Sequence, residues 1–371
     1  MSKNRKRGAA FAAALGALGL VAAACGSSSN ASASSSSNNQ SATTGAPSTT
    51  KGLTTVTVSI LPGTVSAAFY LAQKDGYFTK NGLDVKTTSL YTGAQTIPAV
   101  INGELDIAAG GPSAVFFRDV GQSKGSLMVI GSQSRSVTWT QTNGTKIPHT
   151  SGFYVREAVA NSINSPKGLE GQTIYVPTLG HQSQFYIYLY LKSAGLPISS
   201  IKWGIIPTAS AGNLAALQTS RINVGLLIAP QSIEAVNKGI AKPLFLNHSV
   251  DPGEDSVLWT ASGAFVKSNP AAVTGFIKAM KEANATYKAA VEAGSNSSQY
   301  QSIVSLVSSE LKVPASSVMP LPGGLTTSVS TTDLSDVGSF FVSMGYVPKS
   351  DLIPTSQYVD CANISCVTTP Y

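Results

Sequence analysis

Gly103-Glu104-Leu105-Asp106-Ile107-Ala108-Ala109-Gly110-Gly111-Pro112-Ser113 is the stretch that decides the fold class. Leu105 to Ala109 is a short apolar run of strand length, and Gly110, Gly111 and Pro112 stop it. Ser113 then stands in the first turn of a helix. A strand that ends in small residues and leads straight into a helix is one βα unit. Working outward, the same unit occurs before it and after it. Val56 to Ile60 is a β-branched run, broken at Pro62-Gly63-Thr64, and Ser66 can cap a helix from Ala67 to about Lys74. Leu83-Asp84-Val85 begins another strand, and Thr92-Gly93 precedes a helix through Ile97, Val100 and Ile101. Leu127 to Ile130 reads as a fourth strand. Repetition at this spacing implies right-handed βαβ units and a largely parallel sheet.

The pattern restarts after a polar break at Gln141 to Ser151. Phe153 to Val155, Thr173 to Val176, Ile201 to Ile206, Asn223 to Ile228 and Pro243 to Leu246 read as strands. Helices are expected from the Thr178 to Gln182 turn through Tyr186, Leu189 and Tyr190 until Gly195, over Ala211 to Leu217, and from Pro230 to near Gly239. Two α/β lobes joined by short crossings is the simplest account. A helical section follows. Asn269-Pro270 opens a helix whose Val273, Phe276, Ile277, Met280, Ala283 and Tyr287 recur at helical spacing until Gly294. Thr332 to Met344 is a further helix, with Gly345 just past its end.

The first 25 residues are an export signal. Lys3, Arg5, Lys6 and Arg7 precede an apolar run from Phe11 to Leu20, and small residues lead to Cys25. A thiol directly after Ala-Ala resembles the bacterial lipobox, which would make Cys25 the acylated N-terminus after removal of residues 1–24. Residues 25–52 are almost entirely Ser, Ala, Thr, Asn and Gly, and cannot bury enough apolar surface to fold; a disordered tether is expected. Roughly 320 residues remain, enough for two domains of ordinary size.

The formal charge of +7 includes the four cations of the signal; without them 21 basic residues face 18 acidic ones. No Lys/Arg cluster supplies a nucleic-acid footprint. Three histidines and the lack of a Gly-x-Ser-x-Gly turn give poor support to a serine hydrolase, and the Cys/His count and spacing exclude a zinc-type site. Cys361 and Cys366, an even pair in an exported chain, read as a disulfide.

Gly76-Tyr77-Phe78-Thr79-Lys80-Asn81-Gly82-Leu83-Asp84-Val85, Gly103 to Gly110, Leu169 to Pro177, Ala216-Leu217 with Val224 and Pro230, and Gly345-Tyr346-Val347 before Tyr358-Val359-Asp360 stand in the order found in a known family. Over residues 53 to 360 the chain resembles the nitrate/sulfonate/taurine-type solute-binding proteins of ABC importers, a group that also includes thiamine-pyrimidine-precursor-like members. The order and spacing of these motifs carry the resemblance, because each alone is turn and core chemistry. Two features depart from the family pattern: a long loop around Thr140 to Thr150, and a strand near Asn223 to Leu226 without the usual Asp-Ala pair.

The resemblance implies a periplasmic-binding-protein-like α/β fold of type II, with two doubly wound lobes and a ligand cleft between them. Residues 53–140 with 252–371 would form one lobe and 141–251 the other. It implies a monomeric, non-enzymatic binding component without a cofactor or metal, lipid-anchored at the extracytoplasmic face, working with a permease and an ATPase. Thiamine-precursor synthases share this architecture but carry a Cys-rich iron motif, which is missing from this chain. A tethered sensor lobe is the other alternative.

Ligands of such folds sit at the carboxyl ends of strands, where helix starts present N–H groups. The ligand-binding residues expected on this basis are Ser66, Tyr91, Thr92, Gln95, Gly111, Ser113, Arg135, His181, Gln182, Ser183, Thr208 and Ser210. Apart from Arg135, whose expected place is near the crossings, the cleft segments hold no Asp, Glu, Lys or Arg. Such a cleft fits a sulfonate, a carboxylate or a polar aromatic ring. Tyr186, Tyr188 and Tyr190 alternate as in a strand and are expected in the core.

Overall fold

The computed structural model describes residues 52–368 apart from 91, 92, 137, 138, 142, 148 and 149. The signal, Cys25 and nearly all of the tether lie outside the described residues, as do Tyr91 and Thr92. Residues 51–371 form one compact unit.

The chain runs through β1 (Thr54–Ile60), α1 (Ala67–Lys74), α2 (Tyr77–Lys80), β2 (Leu83–Ser89), α3 (Gly93–Ile101), β3 (Ile107–Gly110), α4 (Ala114–Gln122) and β4 (Leu127–Arg135). Two short strands, β5 (Trp139–Thr140) and β6 (Lys146–Ile147), pair antiparallel in the first crossing. Then come β7 (Gly152–Arg156), β8 (Thr173–Val176), α5 (Ser183–Lys192), β9 (Lys202–Ile205), α6 (Ala209–Gln218), β10 (Val224–Leu227), α7 (Gln231–Asn237), β11 (Ala241–Leu246) and α8 (Asn247–Val250). The chain ends with β12 (Asp255–Ser262), α9 (Gly263–Ser268), α10 (Pro270–Ala293), α11 (Ser298–Leu311), β13 (Val329–Ser330), α12 (Thr331–Ser343) and β14 (Cys366–Val367).

These strands make two five-stranded sheets, ordered β2-β1-β3-β12-β4 and β11-β7-β10-β8-β9. In the first, β1 is parallel to β2 and β3, while β12 runs antiparallel between β3 and β4. In the second, β8 is parallel to β9 and β10, while β7 is antiparallel to β10 and β11. The chain therefore leaves the first sheet after β4 and returns to it by β12. Each sheet contains one strand of reversed direction beside a crossing. This is the periplasmic-binding-protein-like α/β arrangement.

The sequence pattern located the parallel strands and α10 and α12 but did not show β12 as a strand. Nearly every residue of β12 is buried on both faces, so the period-two alternation that marks a half-exposed strand is missing. Trp259 in β12 is fully buried, with its ring centroid 5.1 Å from Phe276 of α10 and 5.8 Å from Phe69 of α1. Burial of three such rings locks the returning strand between the helices that flank the first sheet. The long α11 was likewise not anticipated. Its apolar contacts, Tyr300, Ile303, Val304 and Val307, are spaced among serines, and Ser297 caps it by accepting from Tyr300 N at 3.1 Å. Cys361 and Cys366 are bonded, with Cα atoms 5.6 Å apart, and Cys366 pairs with Val329 between β13 and β14. No helix among the described residues is long and apolar enough to cross a membrane.

Candidate functional site

A cavity of about 330 Å³ lies where the two sheets face each other. From the first sheet it receives the loop after β1 (Leu61, Pro62, Thr64, Val65), the loop after β3 (Gly110, Gly111, Ser113), the end of β4 (Ser134, Ser136) and the start of β12 (Ser256, Val257). The second contributes the start of α5 (His181, Gln182, Tyr186), Thr208, Ser210 and the residues following β10 (Ile228, Ala229, Pro230, Gln231). Thr150, Ser151, Asn247 and Glu254 come from the two crossings. The site is thus at the strand ends, where a βα architecture leaves its loops.

Of the residues expected from sequence, Gly111, Ser113, His181, Gln182, Thr208 and Ser210 line this cavity. Ser66, Gln95, Arg135 and Ser183 do not. Ser66 is fully buried; its hydroxyl donates to Leu61 O at 2.7 Å and accepts from Gln133 Nε2 at 2.9 Å, and it makes no side-chain cap. It fixes the loop rather than the ligand. Gln95 is exposed on α3. Ser183 is fully buried against His181.

Arg135 departs furthest from expectation. It is fully buried, donating through Nε and Nη2 to Gly253 O at 3.1 and 2.6 Å, with Nε 3.4 Å from Asp255 Oδ1. Asp255 Oδ2 accepts from Ser330 N at 2.5 Å, and Asp255 N donates to Asp333 Oδ2 at 2.8 Å. A cation placed near an anion site by sequence spacing is in fact the counter-ion of buried carboxylates behind the cavity wall.

Several cavity hydroxyls and amides are already engaged within the protein. Ser210 Oγ donates to Ile228 O and accepts from Ile228 N, and Ser256 Oγ donates to Ser134 O. Gln182 Nε2 donates to Asp255 O at 3.0 Å. At the start of α4, Ser113 Oγ accepts from Phe116 N, and Ala114 N donates to Gly180 O at 2.8 Å. The positive end of α4 is therefore partly satisfied by a carbonyl from the opposite sheet's loop, which reduces what it can offer an anion.

His181 accepts a hydrogen bond from Ser183 N at Nδ1, 3.1 Å away. A lone pair is required there, which places the ring proton on Nε2. Burial pushes its pKa down to about 4, so the imidazole is neutral at physiological pH.

Sequence reasoning missed Glu254, Ser136 and Tyr186, and expected no carboxylate in the cleft. Glu254 is fully buried, and its Oε1 accepts from Ser136 Oγ at 2.9 Å. Tyr186 lies on the expected helix, α5, and in the core, and its ring also forms part of the cavity wall. Burial, then the charge of Glu254, holds the Tyr186 phenol well above its ordinary pKa. Burial, followed by Asp251 and Asp333, raises the Glu254 pKa well above the carboxylate range. Asp251 is pushed up to about 8 and Asp333 to about 6, in both cases chiefly by burial. Asp255 is raised as well, with Arg135 opposing.

These shifts set a pH dependence. A carboxyl with a raised folded pKa stabilises the fold below its unfolded value, and the contribution is lost as pH rises to the folded value. His181 has the opposite sign but acts only below its unfolded pKa of about 6.5. Between pH 6.5 and 8 the raised carboxyls Glu254, Asp255 and Asp251 govern the slope. A full proton difference is worth about 1.4 kcal/mol per pH unit, or about 2 kcal/mol over this interval, so the melting temperature is expected to be ~4–8 °C higher at pH 6.5 than at pH 8. A flat or rising profile over that interval in a thermal melt would refute this assignment.

Among the described residues no group of three His, Cys, Asp or Glu side chains is arranged to hold a metal ion. The Ser183–His181 contact of 2.9 Å is not a nucleophile–base pair facing a substrate, because Ser183 is fully buried and outside the cavity lining.

Comparison with solved structures gives the same architecture at low identity. The alkanesulfonate-binding protein SsuA from Xanthomonas axonopodis pv. citri, solved bound to MOPS, is 13% identical, with a TM-score of 0.64 over 83% of this chain and 98% of that one. The periplasmic nitrate-binding protein NrtA from Synechocystis PCC 6803 is 12% identical, with a TM-score of 0.65 over 83% and 86%. The desulfurization enzyme DSZB is 16% identical, with a TM-score of 0.55 over 82% and 97%. No curated protein matches by sequence. The family model of the NMT1-like family matches residues 49–300, which takes in both sheets and most of the cavity wall. With two sheets joined by two crossings around one cavity, and with that match over more than half of its length, the chain belongs to the NMT1-like family.

Proposed function

We propose that this protein is the solute-binding component of an ABC importer, tethered to the outer face of the membrane through lipid on Cys25. The observation that carries this reading is the cavity itself. It is built from strand-end loops of two sheets that are connected only by two crossings, so the sheets can part and meet around a solute. Residues 53–140 with 252–371 act as one lobe and residues 141–251 as the other. Contacts between the two sides include Ala114 N to Gly180 O and Gln182 Nε2 to Asp255 O. A solute that adds contacts on both sides favours the closed form by that differential affinity, and the closed form is the one presented to a permease.

The binding role of SsuA and NrtA supports this reading over the enzymatic one that DSZB illustrates on the same fold. The test is a thermal-shift screen of the purified protein against sulfonates, nitrate, taurine, aromatic acids, amines, and pyrimidine and flavin compounds. A true solute raises the melting temperature by mass action, about 2.7 kcal/mol of stabilisation at a hundredfold excess over Kd. A folded protein that responds to none of these, or that chemically converts one of them, would overturn the importer assignment.

A further inference from the structure

We infer that the solute carries a cationic N–H group, such as an amidinium or protonated amine, on an apolar or aromatic body, and that Glu254 receives this group inside the cavity. This rests on the solute-binding reading above and narrows it to a chemical class. The geometry is specific. Glu254 lines the cavity while being fully buried, and one of its oxygens, Oε1, is held by Ser136 Oγ. The Tyr186 phenol also hydrogen-bonds this carboxyl, so the two donors that hold it are neutral hydroxyls. Among the described residues Glu254 forms no ion pair with Lys, Arg or His; Arg135, the cation nearest in the chain fold, is directed to Gly253 O and Asp255. A carboxyl buried in a cavity wall without a cation stays protonated, and a cation brought by the solute would let it ionise and form a buried pair.

Charge sign points the same way. Asp251 and Asp333 act on Glu254 electrostatically, Asp255 and Asp333 share one hydrogen-bonded cluster, and Arg135 is the cation among them. A cation that enters the cavity allows Glu254 to ionise and pairs with it. The rest of the wall is largely apolar, with Leu61, Val65, Pro177, Ile228 and Pro230, which suits a flat hydrocarbon or heteroaromatic body.

Three probes with one ring and different head groups test this: benzamidine, benzamide and benzenesulfonate, titrated calorimetrically into the purified protein at pH 6 and pH 8. Benzamidine is expected to bind best, and more tightly at pH 8 than at pH 6, because the ionised Glu254 is the form that receives a cation. Glu254→Gln should weaken benzamidine at least about 30-fold, the loss that follows from truncating one side of a buried charge pair, while melting no lower than the parent. If that variant does not fold, the wild-type pH dependence decides, because binding through a protonated Glu254 would weaken from pH 6 to pH 8. Failure of benzamidine to bind, or equal binding to Glu254→Gln, overturns the cationic assignment. Binding of benzenesulfonate in preference overturns it too but leaves the solute-binding role standing. A protein that binds none of the three and no compound of the wider screen loses both.

Discussion

Replacing Arg135 with alanine is expected to lower the melting temperature by about 10 °C at pH 8. Arg135 is fully buried and is the counter-ion for Asp255 beside Asp333. It also donates twice to Gly253 O, and so pins the Gly253–Asp255 segment from which Glu254 enters the cavity. Removing one side of a buried pair costs about 3–5 kcal/mol, because the remaining charge is left in a poor dielectric. At about 2–4 °C per kcal/mol this gives the stated loss. The loss should be smaller at pH 5, where the raised carboxyls take up protons and no longer need the cation. Arg135→Lys should fall between, since an ammonium keeps the charge but not the planar fork. A melting temperature within 3 °C of the parent at pH 8, measured by calorimetry, would show that the pair contributes little to the fold.

A second substitution acts on closure. Gly180→Val is expected to weaken solute capture by about 10- to 100-fold while leaving the two sheets folded. Gly180 has φ +79°, where a β-branched residue is strained, and a Cβ there would stand 2.6 Å from Ala114 Cβ across the cavity. Its carbonyl accepts from Ala114 N, and its N–H is held by Gln184 Oε1 at 2.6 Å. The φ penalty applies in any state, but the clash with Ala114 exists only where the two sides meet. Strain and overlap of this kind cost ~1–3 kcal/mol, which becomes the affinity loss when only the closed state suffers it. Small-angle scattering should show a larger radius of gyration for the variant without solute. An unchanged radius and unchanged affinity would mean that the Gly180 turn plays no part in closure.

How far the site could be read in advance depended on where each residue lies relative to a strand end. Gly111, Ser113, His181, Gln182, Thr208 and Ser210 are in βα loops, and their place follows from local alternation of strand, small-residue break and helix. Glu254 sits in Asp251-Pro252-Gly253-Glu254-Asp255, a run that reads as an exposed polar turn. The available signal was topological: a two-lobed chain must cross back, and the lobe boundary expected at 251/252 marks this run. Tyr186 lies in the expected helix and in the core, but the alternation of the three tyrosines does not tell which of them reaches the cavity; the packing of α5 turns Tyr186 there.

By itself, then, the sequence determined the α/β class, the repeated βα units, the second lobe and the helix from Pro270 to Ala293, because period and turn chemistry are local properties of the chain. Tertiary structure alone decided that β12 returns to the middle of the first sheet, that Arg135 is buried against Asp255, and that Glu254 faces the cavity. Those outcomes join segments far apart in sequence. They depend on what each side chain meets after the chain has crossed between sheets, and burial of that kind leaves no period to read.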